Sequence, residues 1–391
     1  MVMGCLVMVY RQISTFISLT LCFVLISACS TQMATFETKE MSLTTILAGH
    51  NSSFALDTDG TLWAWGADWS GQTDDWNWNV TAQPIPTRIM DNVAYFTSTG
   101  SYTAVLKADG SLWAWGIYVY LSGNYVRISV KQEPTKMMED VYMVSTGGAT
   151  FAIKTDNSLW AWGDNRLGQL GDGTATVRHE PIKIMDDVIY VSAGMDHTMA
   201  IRADGSLWAW GGGVLGIGTT EGSNYPIKIM EDVVAVSAGL FHTAAIRIDG
   251  SLWVWGANLQ GQIGDGTTEC QLNPKRIMED VIAVSVGGVA RYGYFGGHTM
   301  AIRSDGSLWA WGGEMSNENF HDGVEPPESA LRPARIKEDV TAISVGNSHF
   351  MAMTSDGALW TWGWNEYGQL GDGTTISRDY PVKIMSGVSI P

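Results

Sequence analysis

The sequence predicts an all-β fold, a seven-bladed β-propeller, and three observations predict it. A phrase close to Asp-Gly-Ser-Leu-Trp-Ala-Trp-Gly is written seven times. Its tryptophan pairs fall at Trp63/Trp65, Trp113/Trp115, Trp160/Trp162, Trp208/Trp210, Trp253/Trp255, Trp309/Trp311 and Trp360/Trp362. The pairs follow one another at 50, 47, 48, 45, 56 and 51 residues, a period that belongs to repeat architectures. Each period also holds four short strand-like runs separated by turn residues, the content of one propeller blade.

The fifth repeat shows the elements in order. Val233-Val234-Ala235-Val236-Ser237 is a β-branched run ended by Gly239. Residues 242–247 form a second run, and Asp249-Gly250 is a hairpin turn, since glycine accepts the positive φ that tight hairpins need. Residues 252–255 make the third strand. A long connection, 256–273, leads to Pro274-Lys275-Arg276-Ile277, a strand that begins with proline and so belongs at an outer edge. Met278-Glu279-Asp280 turns into the next repeat. Residues 43–48 match the first strand of the first copy, and 381–385 the fourth strand of the seventh. The two ends therefore meet where the ring closes.

Three motifs recur: Gly-x-x-His (Gly194/His197, Gly239/His242, Gly346/His349), Asp-Gly-x-Leu-Trp-x-Trp-Gly, and Asn-x-x-Gly-Gln-x-Gly-Asp-Gly-Thr from Asn165, Asn258 and Asn365. Together they resemble the repeat of the regulator of chromosome condensation family, from about residue 44 to 385. The resemblance implies a seven-bladed propeller, and in some members an offset between blades and repeats. It also brings two family roles into view, a secreted protein inhibitor of β-lactamase and guanine-nucleotide exchange, the second disfavoured by export and acidity; apart from the resemblance, some bacterial seven-bladed propellers are lyases.

The chain has 391 residues, 45 of them glycine, a formal charge of −17 and only 16% charged residues. Such a balance suits a turn-rich β protein and argues against nucleic acid, whose phosphates call for a basic footprint. Residues 1–28 carry one charge, Arg11, and an apolar run that ends in Ile26-Ser27-Ala28-Cys29. This pattern reads as a secretory signal and resembles that of bacterial lipoproteins, with lipid on Cys29. Residues 29–42 read as a tether and 43–391 as the propeller. Cys270 is then the one cysteine of the propeller, so no disulfide framework is expected. The expected location is the cell envelope, at the outer membrane where the host has one. Contact with the membrane is then through lipid alone.

Both tryptophans of each pair lie at i and i+2 of the third strand and share one face of the blade; we expect both to pack in the core, Trp208 and Trp210 of repeat four included. Strand order places the one-two and three-four connections on one rim, and the two-three hairpins and four-one turns on the other. The second rim gathers 18 of the 40 acidic residues, in near-identical copies, read as turn chemistry and local pairing. The first rim is where the repeats differ. From the closing glycine of strand three to the Ile or Met of strand four is 21 residues in repeats two, three, five and seven, but 23, 18 and 24 in one, four and six. Repeat six also lengthens its one-two turn.

Aromatics and arginine in such connections suit a binding surface. The candidate rim is Trp69, Trp76 and Trp78 in repeat one, Tyr118, Tyr120 and Tyr125 in two, Arg291, Tyr292, Tyr294, Phe295 and Phe320 in six, and Trp364 and Tyr367 in seven. His197, His242, His298 and His349 recur in one turn and read as turn-fixing, because neighbouring blades hold equivalent atoms too far apart to share a metal. No nucleophile–base pair or metal cluster stands on the variable rim, and no cofactor or catalytic residue is assigned. The expected role is a monomeric, envelope-tethered binding module for an extracytoplasmic protein or glycan, with an enzyme inhibitor as the alternative.

Overall fold

The computed structural model describes residues 43–67, 82–99, 102–122, 125–291, 294–313 and 328–386. At 43–44, 117–122, 125–132, 289–291, 294–295 and 328–329 it describes the backbone alone. Seven four-stranded antiparallel sheets follow one another along the chain, each built from four consecutive strands. They cover 43–90, 93–138, 141–185, 188–230, 233–278, 281–337 and 340–385. Within each sheet the strands lie in sequence order, and first strands of neighbouring blades touch while fourth strands stand outermost. This is the seven-bladed propeller. Blades coincide with repeats, so no strand is exchanged between the two chain ends.

The turns obey backbone chemistry. The two-three hairpins turn on Gly60, Gly110, Gly205, Gly250, Gly306 and Gly357 at φ of 75–81°, and in blade three on Asn157 at 63°. The four-one turns place Asn92, Asp140, Asp187, Asp232, Asp280 and Asp339 at φ of 58–61°, a region where Asn and Asp are the most tolerated non-glycine residues. The repeated acids of this rim are therefore turn residues first. The two sets of turns are also tied together: the Val93 amide donates to the Gly60 carbonyl at 2.9 Å, and the same bond recurs from Val141, Val188, Val233, Val281 and Val340.

Adjacent blades are joined by a small set of recurring contacts. The second tryptophan of each pair is buried in all seven blades. Trp210 packs on Phe151, Ala161 and Leu170 of blade three, and Trp255 on Met199, Ile201 and Ala209 of blade four. Where the preceding blade carries the Gln-x-Gly loop, the indole N–H donates to the glutamine backbone carbonyl: Trp210 to Gln169 at 2.8 Å, Trp311 to Gln262 at 3.0 Å and Trp65 to Gln369 at 2.9 Å. The loop glycine is required there, since a Cβ on Gly171, Gly264 or Gly371 would lie 2.5–2.8 Å from that indole nitrogen. Blade four has Val214 in place of the glutamine, and the Trp255 N–H has no acceptor among the described residues.

The first tryptophan of each pair is different from expectation. Trp63, Trp113, Trp160, Trp208, Trp253, Trp309 and Trp360 are half-buried. Parity does place them on the same face, but they stand at the hairpin end of the blade. In five blades the indole N–H caps the turn serine, as from Trp208 to Ser206 at 2.9 Å. The side-chain expectation for Trp208 is thus corrected: the deep ring is Trp210.

A second recurring contact runs along the axis. Backbone amides of one first strand donate to the serine hydroxyl of the preceding one: Ala193 to Ser145 at 3.0 Å, Ala238 to Ser192 at 2.9 Å, Val286 to Ser237 at 3.1 Å and Val345 to Ser285 at 3.0 Å. The closing pair uses the same device, Ala48 to Ser344 at 2.8 Å. Ile46, Ala48, Ala55 and Trp65 of blade one complete a core cluster with Met351, Met353 and Leu359 of blade seven.

Two outcomes follow. Deleting residues 43–49 removes the strand that presents Ile46 and Ala48 to blade seven, and the open ring should melt far lower or aggregate; an unchanged melting temperature would contradict closure by that strand. In urea unfolding, Trp210→Ala should cost about 3–5 kcal/mol, and Trp208→Ala clearly less. Equal losses would show that burial does not separate the two rings.

Candidate functional site

The rim made by one-two and three-four connections is the candidate binding surface. Blade two departs most. Its third and fourth strands run on as one ribbon, Leu112–Ser122 and Tyr125–Met138. Their register continues from Gly116↔Lys131 through Tyr118↔Ser129 and Tyr120↔Arg127 to Ser122↔Tyr125. In blade six the first and second strands do the same, Val281–Arg291 and Tyr294–Arg303, ending at Arg291↔Tyr294. The sequence reading had both as loops, and that is corrected: each is a two-stranded extension of its blade. Beyond the blade, six residues of a strand reach about 20 Å. The first arises from the outer half of a blade and the second from the strand nearest the axis.

Of the candidate residues, Tyr118, Tyr120 and Tyr125 thus fall on the blade-two ribbon, and Arg291, Tyr294 and Phe295 on the blade-six ribbon. Trp69, Trp76, Trp78, Tyr292 and Phe320 lie outside the described residues, as does Cys29. Trp364 and Tyr367 are half-buried on the three-four connection of blade seven. The Trp364 backbone amide donates to the Ser348 carbonyl at 2.8 Å, and the side-chain Nδ2 of the neighbouring Asn347 lies 2.7 Å from His50 Nδ1 of blade one.

The same rim carries an apolar row that the sequence reading missed. Leu167, Met195 and Leu259 are exposed, and Leu240 and Phe241 are half-buried. The signal was available, since Met195 and Leu240-Phe241 fill the variable positions of the Gly-x-x-His turn. Beside this row Arg166 clasps the buried Asp164 through Nε at 2.9 Å. Asp196 is held above the usual carboxylate range, chiefly by burial and secondarily by Asp164, against the pull of Arg166.

Three of the four histidines bond to the next blade through the imidazole. His197 Nε2 lies 2.8 Å from Thr243 Oγ1, His242 Nε2 3.0 Å from Thr299 Oγ1, and His349 Nε2 2.7 Å from Ser53 Oγ. Thr299 and Ser53 give their hydroxyl protons to the carbonyls of Gln262 and Gln369, so His242 and His349 donate through Nε2–H. In blade seven Phe350 replaces the threonine. His298 there packs edge-on against the Phe350 ring at 5.1 Å and instead donates Nδ1–H to the Gly312 carbonyl at 3.0 Å. The turn itself is closed by the histidine backbone, whose carbonyl accepts from the turn glycine in Gly194–His197 and Gly239–His242 at 2.9 Å and in Gly346–His349 at 3.0 Å, while the imidazoles bond away from it. Burial pushes their pKa values down from 6.5, to about 4 for His197 and His298 and about 3 for His242 and His349.

The opposite rim is internally paired. Arg202–Asp187 at 2.8 Å, Arg247–Asp232 at 2.9 Å and Arg303–Asp280 at 2.9 Å repeat one ion pair. Lys183–Asp186 at 2.7 Å, Lys228–Glu231 at 2.5 Å and Arg276–Glu279 at 2.9 Å repeat another. The hairpin carboxylates Asp109, Asp156, Asp204, Asp249 and Asp305 accept from the serine two residues on, which holds them below the usual range. Both ends of the propeller, at Leu43 and Met385, lie on this rim.

A ring of this build, with one repeated and one varied rim, defines a repeat-propeller scaffold. The RCC1-like domain model matches residues 27–291, and RCC1 repeat models match 340–369 and 356–390. The chain belongs to the RCC1-like domain family. It is 35% identical over 92 residues to the ultraviolet-B receptor UVR8 of Arabidopsis thaliana, covering 22% of this chain and 20% of that protein. It is 37% identical over 76 residues to the human regulator of chromosome condensation, covering 19% and 18%. These matches span about a fifth of each relative. Among solved structures, human WBSCR16 aligns at TM-score 0.63 and 20% identity over 83% of this chain and 94% of that one. Prp20p of Saccharomyces cerevisiae aligns at 0.53 and 18% over 88% and 77%. Such likeness establishes the fold.

The histidines predict an acid-sensitive ring. All four are neutral when folded and take protons readily only when unfolded. Their stabilisation is fully present above pH 6.5 and is lost as pH falls towards 3–4. Each removes up to about 1.4 kcal/mol per pH unit in that window. Urea midpoints should therefore fall steadily from pH 7 to 4.5, before the hairpin carboxylates titrate. A flat profile there would contradict buried neutral imidazoles.

Proposed function

We propose that the chain is a binding module held at the cell envelope by lipid on Cys29, and that its variable rim takes an extracytoplasmic partner. The observation that carries the reading is the placement of both ribbons, and of Trp364 and Tyr367, on the rim opposite the chain ends. A tether of residues 29–42 joins the propeller at the acidic rim, which leaves the varied rim turned away from the anchor. The acidic rim, nearly identical from blade to blade and paired within itself, offers little to tell one partner from another. A single asymmetric partner needs asymmetric decoration, which blades two, six and seven supply. The role is one of recognition, and no residue is given a catalytic part.

The test uses full-length chain, in detergent, immobilised and exposed to envelope extracts. Alanine at Tyr292, Tyr294 and Phe295 should weaken retention at least tenfold with little change in melting temperature, while Glu231→Ala with Asp232→Ala should leave it intact. The reverse pattern would assign the faces the other way. In cells, Cys29→Ser should abolish lipid labelling; normal labelling would remove the anchor from the proposal.

A further inference from the structure

The blade-two ribbon has edges that its own sheet does not fill. The second strand of that blade, Tyr102–Lys107, pairs with the third only from Tyr102↔Gly116 to Leu106↔Leu112. Residues 117–122 have no strand on that side among the described residues. The fourth strand is outermost in its sheet, so residues 125–130 have none on the other. An unpaired strand edge is a row of backbone donors and acceptors. A ribbon of two strands is also marginal in water by itself, and a third strand is what stabilises it.

The residues along the ribbon divide cleanly by register. Ile117, Val119 and Leu121 stand opposite Val130, Ile128 and Val126, and this parity is wholly aliphatic. The other parity holds Tyr118, Tyr120 and Ser122 opposite Ser129, Arg127 and Tyr125, with Lys131 opposite Gly116. Residues 117–131 contain two cations and no carboxylate, in a chain of net charge −17. The blade-six ribbon follows suit, with Arg291 and no acid between 287 and 298.

We propose that the edge of the blade-two ribbon is a strand-addition site, and that its occupant is an extended protein segment alternating acidic with aliphatic residues. The proposal rests on the binding role of this rim and narrows its partner from protein or glycan to a β-strand of stated charge. Pairing would supply affinity through main-chain hydrogen bonds, and the alternation would supply register and selectivity. Arg127 and Lys131 match acids on one parity of the incoming strand, and the aliphatic parity matches the other.

The experiment titrates full-length chain with a fluorescent peptide, Val-Glu-Thr-Glu-Val-Glu-Thr-Glu, and with its counterpart bearing lysine for every glutamate. The acidic peptide should bind at least tenfold tighter. Arg127→Glu with Lys131→Glu should reverse the preference without shifting the melting temperature. Two N-methylated forms of the acidic peptide, on alternate sets of amides, should differ sharply: one set should abolish binding and the other be tolerated, because only every second amide of an added strand points at the edge. Equal binding of both charges, indifference to the double variant, tolerance of both methylated sets, or no binding up to about 1 mM would each overturn the proposal. Retention of envelope material that survives protease treatment would point to a glycan and overturn it as well. The wider role of the rim would still stand if the aromatic alanines abolish retention.

Discussion

Every blade of this ring is made from four consecutive strands, so the seventh and first blades share no sheet and are joined by side-chain contacts, buried surface and single main-chain bonds between connections, such as Gly373 N–H to the Pro84 carbonyl at 3.0 Å, as Gly173 N–H to the Asn224 carbonyl at 2.9 Å joins blades three and four. That is the constraint on which the rest depends. In many rings a shared blade would make closure a matter of strand pairing. Here closure is one more copy of an ordinary interface: Ala48 onto the Ser344 hydroxyl, Trp65 onto the Gln369 carbonyl, Ser53 onto His349. No interface can be weak, because an opened joint exposes two blade faces at once. This explains why the second tryptophan is buried in all seven blades while other motif positions wander. A large ring with one N–H, packed on the apolar residues of the preceding blade and in three blades given a glutamine carbonyl, joins blades with both area and direction.

Much of this was legible in the sequence. The spacing of tryptophan pairs fixed the number of blades, the Asp-Gly turns fixed strand order, and strand order fixed which connections share a rim. Depth along a blade was not legible. Trp208 and Trp210 have the same parity and the same neighbours in the motif, yet one caps a hairpin and the other fills an interface. The histidines misled for a related reason. Each precedes a hydroxyl residue or Phe350 in sequence, but the imidazoles of His197, His242 and His349 bond to the hydroxyl of the next blade, and a repeat cannot say whether a motif pairs within itself or with its own next copy.

The blade-two ribbon was missed through a coincidence of length. Blade two has the same 21-residue spacing as blades three, five and seven, which fold it into a loop organised by a buried asparagine. Asn165 spends both ends of its amide there, donating to the carbonyls of Thr174 and Thr176 and accepting from the Leu170 amide at 2.9 Å. Blade two has no such asparagine. It has the alternation Ile-Tyr-Val-Tyr-Leu and a matching return, which is strand periodicity. Chain length was the wrong measure; the period was the right one. The acidic rim shows the converse. Its carboxylates are conspicuous in composition, yet their backbone conformations and ion pairs account for them locally, and exposed pairs of that kind add little to stability.

A ring with near-sevenfold symmetry can vary a connection only where the contacts that hold the ring do not depend on it. The serine bonds lie between first strands, whereas the tryptophan carbonyl bonds reach Gln169, Gln262 and Gln369 on the three-four connections of blades three, five and seven. Blade two has no Gln-x-Gly loop, and its connection runs on past Gly116 as a ribbon, while in blade six the ribbon continues the first and second strands past Gly287. The two ribbons also rise at different radii, one from the axis strand and one from the outer edge. A partner lying across them meets an arrangement that no rotation of the ring reproduces. The repeat thus supplies rigidity, and among the described residues the two ribbons break its symmetry on one rim.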